Sequence, residues 1–569
     1  MEAKARGISL GRAWAAAAGL RIRVLCVARG LIRGHSRKSA AQKHAAAHAE
    51  VRRGLLLAAL LPLSAWAAVP TSNPHPDPEI DAAFDAVMAR YRLPGLAVGV
   101  IEQGRVTYAR TAGERVAGEG AAIDRQTLFK VASNTKAMTA AVLARLVDAG
   151  KLRWDDPVTR HLPQFRMHDP WVTRNMQVRD LLIHNSGLRA GAGDLMLWPE
   201  PNAFARADVI RGLAHLVPQY SFRSRYDYDN LLYIVAGEVA AAAGGAPYED
   251  LVRREVFEPL GMEHCRVGAW RRAETPNLAQ PHMRRGERNV PVREDGETVP
   301  ATTMAAAGGV RCSLDDMLAW VRAWVRPQSA PGWLSDEQRR AMTTAQMPMP
   351  LSERMREWDG SRFSAYGYGW RLADVDGTYK VSHTGTLMGM YSAVTWLPDL
   401  DVGFVILSNG EASDARTVLS QVLVKRFTRP QAKLDVAHYA ALLERERAQR
   451  PAASRAPDTS SRRPLPAAGF GQAGVYRDPW FGEASICPDG GGVRFRAHKS
   501  PLLDGRLMRV GERLLVDWAD PSVDAEAWLD FAPASAQGKI ALTMAKVDPD
   551  ADFSYDYEDL RFERVRGCD

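Results

Sequence analysis

A serine and a lysine stand three positions apart where an apolar helical pattern begins, in the segment VASNTKAMTAAVLARL. Residues i and i+3 of a helix share a face, so Ser133 and Lys136 can point into one cleft. A lysine in a poorly hydrated pocket loses its proton more easily and can then accept the proton of a serine hydroxyl. The same residue types also serve as a helix cap and a solvated first-turn charge. Taken alone, the pair therefore predicts either a helix start or a nucleophile with its base.

Two later segments carry side chains that suit the same chemistry. Tyr228 and Asn230 precede an apolar helical pattern; a tyrosine hydroxyl can pass a proton, and an asparagine can hydrogen-bond a substrate amide. In the segment VSHTG, at a strand end, His383 and Thr384 can offer donors, while Gly385 permits close backbone approach to a ligand. By itself, each segment also fits a purely structural role. The first can be a buried aromatic residue followed by a helix cap, and the second can be a polar strand end at a glycine turn.

Together and in this order, the three segments resemble the motifs of the penicillin-recognising serine hydrolase superfamily: Ser-x-x-Lys, Tyr-x-Asn and Lys/His-Thr-Gly. The resemblance is closest to the group of class C β-lactamases, D-alanyl carboxypeptidases, D-aminopeptidases and related esterases. It covers about residues 78–428, where LLIHNSGL, YGYGW and LPDLDVGFVILSN stand at the positions of the family's recurring segments. The resemblance favours the nucleophile over the helix cap at Ser133.

The resemblance implies a role for each matching residue. Ser133 would attack a carbonyl carbon and become acylated, while Lys136 and Tyr228 share general-base and general-acid duty in an order that stays open. Asn230 would position the substrate amide. The backbone N–H groups of Ser133 and Thr386 would form an oxyanion hole. The strand residues expected at the substrate site are His383, Thr384, Gly385 and Thr386. The chemistry needs no metal ion and no organic cofactor.

His383 departs from the lysine that β-lactamases usually have at that position. A lysine keeps its charge, whereas an unperturbed histidine is charged only below a pKa of about 6.5. We therefore expect little hydrolysis of β-lactams. If the substrate carries a carboxylate at this end, its binding should weaken as the pH rises through the titration of the histidine.

The elements that must position these residues form strand patterns around a mostly helical middle. GLAVGVIEQGRVTYARTAGE predicts a β-hairpin, and YGYGWRLA, YKVSHTG, SAVTWLPD and VGFVILSNG predict strands between about residues 300 and 425. Residues 150–300 are mainly helical and loop-rich. These patterns predict an α+β fold over 78–428: an antiparallel sheet flanked by helices plus an all-helical subdomain, as in the β-lactamase/transpeptidase-like fold.

A second domain is expected after a linker. Residues 429–466 combine a helix with a flexible segment rich in proline, serine and arginine. Residues 467–569 then show short alternating segments between glycine, aspartate and proline, which predict a small all-β domain, either a barrel or a sandwich.

The N-terminal region is predicted to be a leader. Residues 1–50 contain ten Lys/Arg and two Asp/Glu, which accounts for the whole formal charge of +8. The remaining chain therefore has no net charge, and its composition does not indicate a nucleic-acid-binding surface. VRRGLLLAALLPLSAWAAVP has the layout of a secretory signal peptide cleaved after Ala67, and its apolar run is shorter than the about 20 residues of a membrane span. Because such a signal should begin a chain, we take Val51 as the true start; the alternative is an extended signal or a retained N-terminus.

Four cysteines follow the leader without any C-x-x-C spacing: Cys265, Cys312, Cys487 and Cys568. An exported protein can oxidise them, but their pairing cannot be read from the sequence, and a metal site is not indicated.

These observations predict an exported, periplasmic or secreted serine hydrolase that forms an acyl-enzyme on a small amide or ester, of D-amino-acid peptidase or esterase type. The alternatives are a β-lactamase and a non-catalytic penicillin-binding or sensor protein. The expected partner is a small molecule or short peptide, with no nucleic acid and no membrane span after signal cleavage.

Overall fold

The computed structural model describes residues 76–449, 456–532 and 540–568. The leader, the signal peptide and the proposed start at Val51 lie outside the described residues, so the predictions made for them stay predictions.

The larger domain is built on one eight-stranded antiparallel sheet. In chain order its strands are β1 (Gly95–Glu102), β2 (Arg105–Gly113), β3 (Met347–Pro348), β4 (Ser364–Tyr366), β5 (Arg371–Val375), β6 (Thr378–Leu387), β7 (Met390–Leu397) and β8 (Val402–Ser408). Across the sheet the order is β2-β1-β8-β7-β6-β5-β4-β3. Val98 of β1 lies opposite Ile406 of β8, so the sheet joins the two ends of the domain, as the strand patterns predicted.

Helices cover both faces of this sheet. The helices of eight or more residues are α1 (Pro78–Tyr91), α2 (Thr135–Asp148), α3 (Leu231–Gly244), α4 (Leu314–Val325), α5 (Asp336–Thr343), α6 (Ser413–Thr428) and α7 (Val436–Ala448). The apolar sides of α1, α6 and α7 form one core against the sheet. On the other face, α4 packs so closely that a Cβ at Gly99 would lie 2.7 Å from Leu318, and one at Gly403 would lie 2.4 Å from Val321. Both strands therefore carry glycine where α4 crosses them.

The chain between β2 and β3 forms the mainly helical part of the domain. Its shorter helices are Val158–His161, Pro170–Asn175, Arg206–Gly212, Tyr248–Val252, Glu258–Leu260 and Ala305–Gly308, and Glu353–Asp359 follows β3. Three small sheets join Phe129–Lys130 to Arg311–Cys312, Trp270–Arg271 to Thr298–Val299, and His282–Arg285 to Arg288–Pro291. The predicted α+β architecture, with its antiparallel sheet and helical subdomain, is confirmed.

One predicted strand is wrong in extent. The segment YGYGWRLA is divided, because β4 ends at Tyr366 and β5 begins only at Arg371. Between them Gly369 adopts a φ of +77°, and a Cβ there would lie 2.6 Å from the Cα of Ala137. The glycines thus make a turn that packs against α2, a contact the local pattern could not show.

In the described residues, the C-terminal domain is an antiparallel barrel closed by eight strands, with a ninth strand added at its side. Its strands are β9 (Arg463–Pro464), β10 (Gly474–Asp478), β11 (Gly482–Asp489), β12 (Gly492–Ala497), β13 (Asp504–Val510), β14 (Arg513–Trp518), β15 (Ala527–Phe531), β16 (Ala541–Lys546) and β17 (Phe562–Arg566). From β10 to β17 each strand pairs with the next, β17 pairs back with β10, and β9 adds to β13. The all-β domain is confirmed, and of the two predicted arrangements it has the barrel.

The two domains pack directly against each other. Apolar side chains of both belong to one continuous core. The rings of Phe204 and Phe481 lie 5.6 Å apart, and the backbone N–H of Ala203 donates to the carbonyl of Lys499 at 2.7 Å. The barrel is therefore held on the larger domain by apolar contact as well as by hydrogen bonds.

Two disulfide bonds join the four cysteines whose pairing the sequence left open. Cys265 pairs with Cys312, and Cys487 pairs with Cys568. Cys312 lies opposite Phe129 in one of the small sheets, so the first disulfide braces the strand that leads to Ser133.

Within the described ranges, no single helix is long and apolar enough to cross a membrane; only α3 taken with Tyr248–Leu260, a pair bent by 79°, passes that test by length and composition.

Candidate active site

Ser133 lies in a tight turn, Ala132–Asn134, directly before α2. Ala132 has a φ of +48°, which is strained for a residue with a Cβ. Two buried bonds hold the turn against β7: Asn134 Nδ2 donates to Ser392 Oγ, and Ser392 Oγ donates to the carbonyl of Val131, both at 2.7 Å. The serine is therefore presented by a fixed and strained turn.

Lys136 is fully buried one turn into the helix, with its Nζ beside the serine. The Nζ lies 3.0 Å from Ser133 Oγ, 2.7 Å from Asn230 Oδ1 and 2.9 Å from the carbonyl oxygen of Ala307. Burial lowers the pKa of Lys136 to about 7, and the nearby Arg371 guanidinium acts in the same direction. A neutral amine has two hydrogens and one lone pair. Because Asn230 and Ala307 offer only acceptors, they take the hydrogens, and the lone pair is left for the hydroxyl of Ser133.

Tyr228 borders the same space but holds its proton more firmly. Burial raises the pKa of Tyr228 to about 12, although Arg371 and a hydrogen bond with Ser133 act against this. The Nζ of Lys136 lies 4.8 Å from the centroid of its ring. At neutral pH the lysine can therefore act as the base, while the tyrosine can act as a proton donor.

Asn230 does not cap α3, although it stands at the cap position. Its Oδ1 accepts from Lys136 Nζ, and its Nδ2 donates to Asp194 Oδ2 at 2.8 Å. The adjacent Asp229 bonds the helix instead, accepting from the N–H of Leu232 at 3.2 Å. Asn230 thus orients the lysine, and its predicted contact with a substrate amide stays a prediction.

The surroundings of His383 do not fit the expected titrating donor at the substrate site. Its side chain has no exposure, and both ring nitrogens have partners at 2.8 Å: the hydroxyl of Tyr366 at Nε2 and the carbonyl of Thr384 at Nδ1. The carbonyl requires a hydrogen on Nδ1, so Nε2 accepts from Tyr366. Burial, together with Arg371, lowers the pKa of His383 well below its usual value. The histidine is therefore neutral near pH 7 and has no donor left for a substrate.

The rest of the motif lies along β6 beside the serine turn. A Cβ at Gly385 would lie 2.2 Å from the carbonyl oxygen of Val131 and 3.0 Å from Ala132 Cβ, so only glycine lets the strand pass there. Thr386, the next residue, is exposed. Its expected part in an oxyanion hole stays a prediction, as do the catalytic roles of the other site residues.

Two arginines that belong to none of the three motifs flank this strand. Arg371 donates to Thr384 Oγ1 at 2.9 Å, and its Nε is buried without a hydrogen-bond partner. Arg416 of α6 donates to the carbonyl of Gly385 at 2.6 Å and to Thr386 Oγ1 at 2.9 Å. Neither guanidinium forms an ion pair with a carboxylate in the described part of the chain. Burial lowers the pKa of Arg416 to about 10, which still leaves it charged at neutral pH.

His184 is a further site residue without a predicted role, although it belongs to the segment LLIHNSGL. It is buried and adopts a φ of +58°. Its ring lies 4.3 Å from that of Tyr228, and its Nδ1 accepts from the N–H of Asp229 at 3.0 Å. Burial lowers the pKa of His184 well below its usual value. It therefore packs as a neutral support behind the tyrosine.

A buried lysine beside a serine, just before a helix and next to an antiparallel sheet, is the arrangement expected of a serine hydrolase. The family model described as Beta-lactamase matches residues 80–425. Since the match covers more than half of the chain, the chain belongs to that family and is a serine hydrolase.

Known proteins similar to this chain support the same assignment. The unguisins hydrolase ungD' of Aspergillus campestris is 26% identical over 63% of this chain, which spans 66% of the length of that relative. Esterase EstB of Burkholderia gladioli is 29% identical over 58% of this chain and 88% of its own length. The solved structure of the octameric penicillin-binding protein homologue from Pyrococcus abyssi covers 85% of this chain and 99% of its own, with a TM-score of 0.54 at 18% identity. That structural likeness extends to the fold alone.

Proposed function

We propose that the protein is an exported serine hydrolase that cleaves a small amide or ester through an acyl-enzyme on Ser133. The observation that carries this proposal is the 3.0 Å contact between Lys136 Nζ and Ser133 Oγ, with both hydrogens of the neutral amine directed elsewhere. A non-catalytic sensor would not need a lysine that is buried and ready to accept a proton.

The reaction proceeds in two displacement steps. As the serine oxygen bonds to the carbonyl carbon, its proton passes to Lys136. The bond to the leaving amine or alcohol then breaks, and the leaving group takes a proton from Tyr228. Lys136 passes the proton that it took from Ser133 to Tyr228. Water attacks the resulting ester in the same way, giving a free acid and the original Ser133. Every proton lost by a nucleophile is thus returned to a leaving group.

The substrate is proposed to carry a carboxylate close to the bond that breaks. Arg371 and Arg416 keep their charge beside Thr384 and Thr386, and they face no carboxylate among the described residues. A partly buried guanidinium without a carboxylate partner is costly, and an anionic ligand lowers that cost. A D-amino-acid peptide with a free carboxylate fits these cations better than an uncharged ester does, so we favour the peptidase type over the esterase type.

Two features support the proposed export: the state of the cysteines and the predicted leader. All four cysteines of the described residues form disulfides, which persist in oxidising compartments. The signal-like segment that ends at Ala67 would direct the protein to such a compartment. N-terminal sequencing of the mature protein from a secreting host should begin at Ala68; a mature protein that still contains residues 1–50 would contradict both the leader and the start at Val51.

A substrate screen tests the proposed reaction. Purified protein is assayed with D-alanyl-D-alanine peptides, D-amino-acid amides, p-nitrophenyl esters and nitrocefin, with Ser133→Ala as the control. We expect the highest kcat/KM for a substrate with a free carboxylate and little turnover of nitrocefin. Turnover of neutral esters alone would favour the esterase type, and no turnover and no acylation by any of them would favour the sensor.

A further inference from the structure

Residues 189–197 form a loop between the catalytic side chains and the C-terminal domain. On its inner side, the N–H of Gly191 donates to the carbonyl of Tyr228 at 2.9 Å. Asp194 of the same loop accepts from Asn230 Nδ2 at 2.8 Å. The loop is thus bonded to two of the residues that surround the nucleophile.

The outer side of this loop is held by a segment of the C-terminal domain. Ser554 Oγ donates to Asp194 Oδ2 at 2.9 Å, although the two residues are 360 positions apart. The backbone N–H groups of Gly193 and Leu195 donate to the carboxyl group of Asp556 at 2.5 and 2.9 Å. Asp194 and Asp556 have no exposure. Burial raises the pKa of Asp194 well above its usual value, and the nearby Asp556 adds to the effect.

Phe553 reaches the catalytic site from the same segment. Its ring lies 5.8 Å from that of Tyr228 in an edge-to-face arrangement, yet 39% of the residue is exposed. Gly191, with a φ of +74°, lies at the contact, and a Cβ there would lie 2.5 Å from the carbonyl oxygen of Phe553. A partly exposed aromatic ring in this position can form a wall beside Tyr228.

On the basis of the proposed function, we propose that the C-terminal domain completes the active site. Phe553 determines the size of the substrate group that fits beside Tyr228. Ser554 is a positioning residue that acts on Asn230 through Asp194.

The bond to Asp194 fixes the orientation of the Asn230 amide. With Nδ2 on Asp194, Oδ1 faces Lys136 and accepts one of the hydrogens of the amine. If the amide turned over, Nδ2 would face Lys136, and the amine would direct its lone pair there instead of toward Ser133. The hydroxyl of Ser554, by holding the same carboxyl oxygen, keeps Asp194 in the position that prevents this rotation.

Substitution of Phe553 tests whether its ring limits the size of the substrate group beside Tyr228. The full chain with Phe553→Ala is compared with Phe363→Ala, because Phe363 is also 39% exposed and lies 6.1 Å from another tyrosine, Tyr379, as a stacked pair. The readout is the ratio of kcat/KM for p-nitrophenyl phenylacetate to that for p-nitrophenyl acetate. We expect the ratio to rise about tenfold in Phe553→Ala and to stay unchanged in Phe363→Ala. An equal ratio in the two variants would overturn the assignment of Phe553.

Substitution of Ser554 tests the positioning role. Ser554→Ala is compared with Ser522→Ala, which removes a serine–aspartate bond of 2.6 Å in the same domain. We expect kcat for p-nitrophenyl acetate to fall about tenfold in Ser554→Ala with little change in KM, because the lysine is misdirected while binding is kept. Ser554→Thr should restore kcat. A kcat equal to that of Ser522→Ala, or no rescue by threonine, would overturn the role.

Different results would contradict this inference and the proposed function. If wild type is neither acylated at Ser133 by a fluorophosphonate nor active on esters, the hydrolase proposal itself fails. If wild type is acylated but Phe553→Ala and Ser554→Ala behave as their controls do, only the role of the C-terminal domain fails. Melting temperatures of all five variants separate a local effect from loss of folding.

Discussion

Lys136 and Ser133 are joined by a contact of 3.0 Å between Nζ and Oγ, inside a site where the lysine has no exposure to solvent. Ser133 ends up beside Lys136 because its turn leads directly into α2, whose second residue is the lysine. Burial then gives the lysine the protonation state that the contact needs.

The rate of acylation should rise with pH through about 7, the pKa of Lys136. Because this pKa is lowered from its usual value, the amine is protonated below pH 7 and neutral above it, and only the neutral form accepts the serine proton. The measurement is the second-order rate constant for fluorophosphonate labelling between about pH 5 and about pH 9. A profile that is flat, or that rises only near pH 10, would contradict a buried neutral lysine.

A guanidinium at the same position cannot provide the base. Lys136→Arg should label at least about a hundredfold more slowly at every pH, since an arginine stays protonated and general-base catalysis contributes that much. Circular dichroism checks that the variant folds. Labelling at the wild-type rate would move the base to another residue.

The preference for a carboxylate substrate should not depend on the protonation of His383. Burial holds the pKa of that histidine well below its usual value, while Arg371 and Arg416 stay charged. The ratio of kcat/KM for a matched acid and its methyl ester should therefore stay constant between about pH 5.5 and about pH 8.5. A ratio that falls with a midpoint at about pH 6.5 would instead identify the histidine as the group that binds the carboxylate.

Arg416→Gln should reduce the preference for the acid over its methyl ester by about tenfold or more, because a charge-assisted hydrogen bond is lost. The matched control is Arg426→Gln on the same helix, whose guanidinium pairs with Asp77 and Glu79 instead. The control should keep the wild-type ratio. If both variants keep it, Arg416 does not contact the substrate.

Gly385→Ala should remove most activity and destabilise the protein by about 1–3 kcal/mol, the usual effect of inserting a group into a packed site. The added methyl would meet the carbonyl oxygen of Val131 at 2.2 Å and displace the serine turn. Gly471→Ala, where the space is open, is the control. Thermal unfolding and ester hydrolysis provide the two measurements, and a fully active Gly385→Ala would mean that β6 does not fix the turn.

Local patterns predicted those parts of the structure that local physics determines. The hairpin of β1 and β2 follows from an apolar run, a glycine turn and alternation, and α2 follows from its apolar period ended by Gly150. The two halves of the sheet were predicted from strand patterns at both ends. The division of YGYGWRLA was missed because it depends on the contact of Gly369 with α2.

The candidate site was predicted where its residues stand in a motif and missed where long-range contacts create it. Ser133 and Lys136 are three positions apart, so one helical turn joins them. Asp194 and Ser554 are brought together only by packing between domains, and nothing in their neighbouring residues indicates this. The sequence also placed His383 in the motif without showing that tertiary packing buries it and makes it neutral.

The most direct test of the account is the site of acylation. The full chain is treated with a fluorophosphonate probe and digested, and the modified peptide is identified by mass spectrometry, with Ser133→Ala treated in parallel. We predict one adduct, on Ser133 in the peptide that contains VASNTK, and none in Ser133→Ala. An adduct on another residue, or equal labelling of Ser133→Ala, would contradict the assignment of Ser133 as the nucleophile.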